Sequence, residues 1–154
     1  MTLDEYLKND AFHFFQDEIL LAKACLDVDE FLKSNSPTKK SQIYSIPPIL
    51  QAEGLAGIRH LAKSQSEKNT NDTNKAFWGF IRNLLEGESP MSLRFVIKSE
   101  LLERGLIQDD ESISDKTEQK RIRKINKEAT EEVTNSVIAV YFEHFVCHYL
   151  YKIN

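Results

Sequence analysis

The chain has few of the residues that make turns and covalent cross-links. Its 154 residues include five glycines, four prolines and two cysteines. So few glycines and prolines argue against a turn-rich β-sandwich, a collagen-like repeat and a glycine-rich phosphate loop. A chain of this length needs no disulfide or metal to support its fold. Because Cys25 and Cys147 both lie in apolar helical patterns, we expect them to be buried thiols.

Long apolar runs are also missing from the sequence. No run approaches the ~18 residues of a membrane span. The opening residues 1–5 are acidic, whereas a secretory signal peptide starts with a basic segment. We therefore expect a soluble, cytoplasmic protein with no membrane partner.

The charge is distributed unevenly along the chain. The formal net charge is −4, which argues against a free-standing nucleic-acid binder. However, residues 1–32 contain eight acidic and two basic side chains, and residues 116–127 contain six basic and one acidic side chain. This asymmetry predicts a molecule with one acidic and one basic region, whose local fields matter more for partner choice than the total.

Apolar residues recur at three- and four-residue steps through most of the chain, which is the spacing of amphipathic helices. The sequence therefore predicts an all-α fold, a single-domain bundle of five to six helices with a long C-terminal helix. The domain would comprise an acidic N-terminal helical region and loop, 1–40, and a helical core, 42–152. The predicted helices cover residues 3–33 (with Asp10 as a candidate break), 47–63, 73–86, 90–104 and 116–151. A strand over 94–98 is the alternative for part of the fourth helix, and a polar loop is expected over 64–74.

Two helices carry local expectations that a structure can test. In the first, the apolar face should include Phe14, Leu21 and Cys25. In the second, Gly54 and Gly57 lie three positions apart, and each glycine in a helix interior costs about 1 kcal/mol relative to alanine. We expect this pair to admit the close approach of another helix or of a ligand backbone.

No pattern of an active site stands out. A nucleophile elbow, a Walker loop and a dinucleotide fingerprint are absent, and no arginine precedes a histidine by four to seven residues as in helical ribonucleases. His144, Cys147 and His148 share a helical segment with metal-ligand spacing, but no second Cys/His pair completes a site. We favour aromatic packing for these residues, and expect no catalytic residue, metal or cofactor.

A basic stripe is the main candidate binding feature. Its six residues fall along one helix, four in a row and two flanking them: Lys116, Lys120, Arg123 and Lys127, with Arg121 and Lys124. The eleven residue steps from Lys116 to Lys127 span about 16 Å of helix, enough for two or three phosphates. The alternative is a solvated face that balances the acidic loop 109–115.

Arg59 and Lys63 form a second, smaller basic pair. Aromatic side chains could stack on bases, but most lie on predicted core faces, where packing is the simpler interpretation.

Residues 42–152 resemble a known protein family. The segment 44–61 combines a tyrosine, a proline, a glycine-leucine pair and further leucines: Tyr44, Pro48, Leu50, Gly54, Leu55 and Leu61. A tryptophan-containing helix over 77–85 follows, and then a long helix introduced by the Ala-Thr-Glu-Glu segment 129–132. In these features the chain resembles the small α-helical subunit of type III-B CRISPR effector (Cmr) complexes.

The resemblance implies a non-catalytic subunit in antiviral defence. Copies of it would stack head to tail along the backbone subunits that carry the guide RNA, and would hold the duplex of guide and target RNA through its phosphates. Arg59, Lys63 and the six residues of the basic stripe would then be the RNA-backbone contacts. The rival hypothesis is a stand-alone helical adaptor or inhibitor that acts through the acidic region 1–33. Changes at Asp17, Asp27 and Glu30 would then be the decisive ones.

Overall fold

The computed structural model describes residues 1–154 and contains helices and no strands, which confirms the all-α prediction. Five helices have eleven or more residues, and α8, with 38, is the predicted long C-terminal helix. The strand considered over 94–98 is wrong, because α7 covers this segment. The helices are α1 (Leu3–Leu7), α2 (Asp10–Phe14), α3 (Leu20–Ser34), α4 (Lys40–Tyr44), α5 (Ile46–Lys68), α6 (Asp72–Glu86), α7 (Leu93–Glu103) and α8 (Lys116–Ile153).

One hydrophobic cluster of 29 buried residues draws side chains from all eight helices. Aromatic rings from α3, α6 and α8 meet at its centre. The ring centroid of Phe77 lies 5.6 Å from that of Phe31, 5.7 Å from that of Tyr149 and 6.2 Å from that of Phe145. These spacings are typical of favourable aromatic pairs. None of the helices has both the length and the apolar character that a membrane span requires.

A π-helical turn over Phe15–Ile19 joins α2 to α3. This turn closes with hydrogen bonds between residues five apart, so it shifts which residues face the core. Phe15 and Leu20 are buried, whereas Phe14 and Leu21 are exposed. The prediction that Phe14 and Leu21 lie on the core face is therefore wrong, because α-helical spacing does not continue through the turn.

Helix α5 is kinked at Gly54, where φ is 63° and ψ is −147°. This conformation is accessible mainly to glycine. A Cβ at Gly54 would meet no heavy atom within 4 Å, so the backbone conformation, and not close approach, requires the residue. The space beside Gly57 is occupied by side chains of α5 itself, since a Cβ there would lie 2.4 Å from the Cβ of Glu53. The expectation that the pair admits another helix or a ligand backbone is therefore wrong.

Several helix ends differ from the predicted boundaries. The first predicted helix does break near Asp10, because α1 ends at Leu7 and the Asn9 side chain caps α2. Helix α5 continues to Lys68, so the polar loop expected over 64–74 is reduced to residues 69–71. Helix α7 starts at Leu93, three residues later than predicted.

The side chains of the two cysteines are more exposed to solvent than the apolar pattern of their helices predicts. Cys25 is half-buried on α3, and Cys147 is exposed on α8. The C-terminal part of α8 is apolar nearly all round, but only one side of it packs against the core. Phe145 and Tyr149 lie on the buried side, while Cys147 lies on the open side. The prediction of two buried thiols is therefore wrong.

Candidate nucleic-acid interface

The basic stripe occupies the N-terminal third of α8. Its first turn is fixed by Asp115, whose carboxylate accepts hydrogen bonds from the amides of Thr117 (2.9 Å) and Glu118 (3.3 Å). The C-terminal half of α8 packs instead on the acidic α3, where Tyr141 bonds to Asp27. Fourteen residues, or about 21 Å of helix, separate the end of the stripe at position 127 from Tyr141. The basic and acidic regions therefore lie at different ends of α8.

Four lysines of the stripe are exposed and form no ion pair within 4.0 Å: Lys116, Lys120, Lys124 and Lys127. We call them the free lysines. They lie at positions i, i+4, i+8 and i+11, and therefore follow one side of the helix. Ile122, behind them, is buried, whereas Ile125 is exposed although the apolar pattern of α8 includes it.

The two arginines of the stripe are already engaged. Arg121 forms a two-pronged pair with Glu118 on the same helix, at 2.5 and 3.0 Å, which lowers the pKa of Glu118. Arg123 donates to the buried carboxylate of Asp110 at 3.2 Å, and Lys98 approaches the same carboxylate at 3.6 Å. Arg123 therefore helps to hold the 109–115 loop against α8, and both arginines are less available to a phosphate than the free lysines.

In the smaller basic pair on α5, one residue is also engaged in an ion pair and the other is free. Arg59 donates to both carboxylate oxygens of Glu131 on α8, with one Nη2–Oε2 distance of 2.9 Å. This contact is the largest cause of the lowered pKa of Glu131, to which Arg94 and Lys127 also contribute. Lys63, one turn further along α5, is exposed and unpaired. Arg59 is therefore a link between helices, and Lys63 alone presents a free charge.

A shallow groove of about 780 Å³ brings Arg59 together with Lys124 and Lys127. It also includes Arg94 of α7, which the sequence analysis did not single out, although Arg94 and Lys98 are a visible i,i+4 basic pair. Four glutamates line the same groove: Glu86, Glu128, Glu131 and Glu132. A neighbouring groove of about 710 Å³ between α7 and α8 also mixes basic and acidic groups. Both grooves therefore mix basic and acidic groups, and of the free lysines only Lys116 and Lys120 lie outside both.

The histidine and cysteine residues of α8 are not arranged as a common site. His148 Nε2 lies 2.8 Å from Asp29 Oδ1, and this contact lowers the pKa of Asp29. His144 Nε2 is buried without a partner, and Cys147 is exposed. No group of three or more His, Cys, Asp or Glu side chains is placed to hold a metal ion.

Most of the aromatic side chains considered for base stacking are in the core. The buried members are Phe12, Phe15, Phe77, Trp78, Phe142 and Phe145. Phe80 is partly buried against the same cluster. Phe14 is the exception, with 55% of its surface exposed, and it lies on the acidic α2. No aromatic side chain therefore projects from the basic stripe.

Comparisons with known proteins do not assign the chain to a family: no protein-family model, curated protein or solved structure matches it. The likeness to the small Cmr subunit therefore rests on the sequence features of residues 42–152.

Proposed function

We propose that the chain is a non-catalytic small subunit of a type III-B CRISPR RNA-guided effector complex, and that it stabilises the duplex of guide and target RNA through backbone contacts. The likeness of residues 42–152 to the Cmr subunit supports the choice of complex. The observation that carries RNA contact is the row of four free lysines on α8. The proposed partners are the backbone subunits, further copies of this chain, and both RNA strands.

The free lysines suit sequence-independent contact. A lysine ammonium is a mobile point charge that binds phosphate without reading bases. Lys116 and Lys127 are separated by about 16 Å of helix, so the row can meet successive phosphates of one strand. A subunit that must accept any guide sequence requires this kind of contact. Several copies along one duplex would add their modest affinities.

The RNA contact is tested by replacing all four free lysines with glutamine. Binding of a fluorescent RNA duplex to the full chain is measured by anisotropy across a salt series. We expect weaker binding and a slope of log K against log salt that is shallower by about 2 to 3, since each lost phosphate contact removes just under one unit of slope.

A matched variant keeps the same change in net charge. Four exposed and unpaired lysines elsewhere are replaced by glutamine: Lys33, Lys39, Lys68 and Lys75. This control should retain the slope of the unmodified chain. Equal losses in the two variants would show that only overall charge matters, and would contradict a specific interface on α8.

Membership of the complex has its own test. The chain is purified at low salt from its host, and the associated proteins and RNA are identified by mass spectrometry and sequencing. Repeat-derived guide RNA together with CRISPR backbone subunits would support the proposal. A single protein partner without RNA would refute it and favour the adaptor hypothesis.

The adaptor hypothesis is a second candidate because the acidic N-terminal helices expose apolar side chains, including Phe14 and Leu26. One of the acidic residues chosen to test it does not serve. Asp27 is 1% exposed and bonded to Lys23 and Tyr141, so changing it would disturb the core. Asp17, Glu18 and Glu30 are exposed and form no ion pair within 4.0 Å, and they are the appropriate acidic set.

A further inference from the structure

We propose that the outer face of α2 and α3 binds a basic amphipathic helix of another protein. The face carries a row of exposed apolar residues, which we call the apolar stripe: Phe14, Ile19, Ala22 and Leu26. Phe14 is 55%, Ile19 42% and Leu26 63% exposed. Side chains of this size, lined up on one face, are more than the scattered apolar residues found on an ordinary surface.

The π-helical turn is what aligns the stripe. Phe14 and Ile19 are five residues apart, which is the separation of hydrogen-bonded residues in a π-helix. The chain is α-helical from Leu20, directly after Ile19, so Ala22 and Leu26 follow at i+3 and i+7 on the same side. Without the wide turn, Phe14 and Ile19 would point in different directions. Such turns are frequent at functional sites.

Acidic side chains that are free to pair with a partner lie in the same segment of the chain as the stripe. Asp17, Glu18 and Glu30 are exposed and unpaired on the same helices. Lys23 is the only lysine or arginine between positions 9 and 32, and its ammonium group is already hydrogen-bonded within the molecule. Its ammonium donates to Asp27 at 2.7 and 2.8 Å and to the carbonyl of Met91 at 2.5 Å. The segment therefore combines exposed apolar side chains with three unpaired acidic ones, whereas Asp29 is already paired with His148 and Lys152 of α8.

This charge pattern indicates which class of partner fits the face. RNA and anionic membrane surfaces are repelled by the acidic side chains. An amphipathic helix with apolar anchors at i, i+3 or i+4 and i+7, and with Lys or Arg beside them, complements both the stripe and these acidic side chains. From Phe14 to Leu26 the stripe is about 17 Å long, which matches roughly three turns of such a helix.

The inference is independent of the RNA-binding proposal. The stripe lies on the N-terminal helices that pack on the C-terminal half of α8, whereas the free lysines lie on its N-terminal third. Changing the four free lysines should leave peptide binding intact, and changing the stripe should leave RNA binding intact. Each proposal can therefore fail without the other.

The test uses a labelled 18-residue helical peptide with leucines on one face and lysines and arginines beside them. Its affinity for the full chain is measured by fluorescence anisotropy. We expect saturable binding that weakens at least tenfold in a Phe14→Ser/Leu26→Ser variant and severalfold in an Asp17→Asn/Glu18→Gln/Glu30→Gln variant. Both variants change exposed side chains, and circular dichroism verifies that they remain folded.

Two controls locate the site. Tyr44→Ser removes an exposed aromatic residue outside the stripe and should not change the affinity. A peptide with glutamate in place of each lysine and arginine should not bind. The proposal is overturned if the acidic peptide binds equally well or if the stripe variants bind like the unmodified chain. Sedimentation that shows self-association abolished by Leu26→Ser would also overturn it, by making a second copy the occupant.

Discussion

At the scale of single residues, the buried Asp27 is the most informative polar group. Burial raises its pKa, and the contacts that oppose this effect are hydrogen bonds from Lys23 and from the Tyr141 hydroxyl, the latter at 2.5 Å. The same burial raises the pKa of Tyr141. Its hydrogen bond with Tyr141 joins α3 to α8 in the buried part of their contact. A buried charge of this kind is tolerated only when its partners are in place.

Replacing Asp27 with alanine should destabilise the protein by about 3 kcal/mol, because it removes the acceptor of the buried Tyr141 hydroxyl and leaves the Lys23 ammonium with only the Met91 carbonyl. The measurement is the free energy of unfolding in urea. Asp17→Ala is the control, an exposed acid of the same N-terminal region, and should change stability by less than about 0.5 kcal/mol. A loss below about 1 kcal/mol for Asp27→Ala would show that water replaces the lost acceptor.

The sequence could not reveal this role of Asp27. Aspartate is mostly found on surfaces, so the sequence predicts Asp27 to be exposed like the other acidic residues of the N-terminal region. The free lysines were predictable, since helical spacing alone places them on one side of α8. The engagement of Arg59 by Glu131 was not, because the two residues are 72 positions apart and meet only through tertiary packing.

At the scale of helices, the kink of α5 at Gly54 leads to a prediction about stability. Gly54→Ala should cost about 2 kcal/mol, because the backbone conformation there is strained for any residue with a Cβ. Gly79→Ala is the matched control, since Gly79 lies inside α6 with a helical backbone and free space around its Cα. That change should stabilise the protein by about 0.5 to 1 kcal/mol. Both values come from thermal or urea unfolding, and equal effects would contradict the kink.

Element types were more predictable than element details. Periodicity identified all five long helices because each has a broad apolar side facing one shared core. It failed where the backbone departs from α-helical geometry. The π turn places Phe14 outside the core, and periodicity alone predicts an ordinary helix interior at Gly54, where the helix is kinked. Neither departure has a local sequence signature as strong as a proline.

At the scale of the whole molecule, α8 separates two surfaces of opposite character. The helix is about 57 Å long. Its C-terminal half packs on the acidic α3, and its first turns carry the free lysines past that contact. A partner or RNA strand that approaches one end therefore experiences a different field from one at the other end. Under the two proposals made above, this separation would let one small chain contact two different ligands.

The pair of Arg59 and Glu131 that ties α5 to α8 should give the molecule a defined response to acid. Arg59 lowers the folded-state pKa of Glu131. The pair therefore stabilises the protein above the unfolded pKa of about 4.3, and this contribution is lost as the pH falls through the lower folded value. Asp27 acts in the opposite sense, because burial raises its pKa. A variant at Glu131 isolates the first effect.

Glu131→Gln should lower the free energy of unfolding at pH 7 by no more than about 1 kcal/mol, since the carboxylate is partly solvated and its attraction is screened. The difference from the unmodified chain should shrink as the pH falls through the lowered folded-state pKa of Glu131, below which its carboxyl group is neutral. Urea unfolding at several pH values measures it, with the exposed Glu132→Gln as control. A difference that stays constant over the whole acid range in which the protein remains folded would show that shape, not charge, joins α5 to α8 at this position.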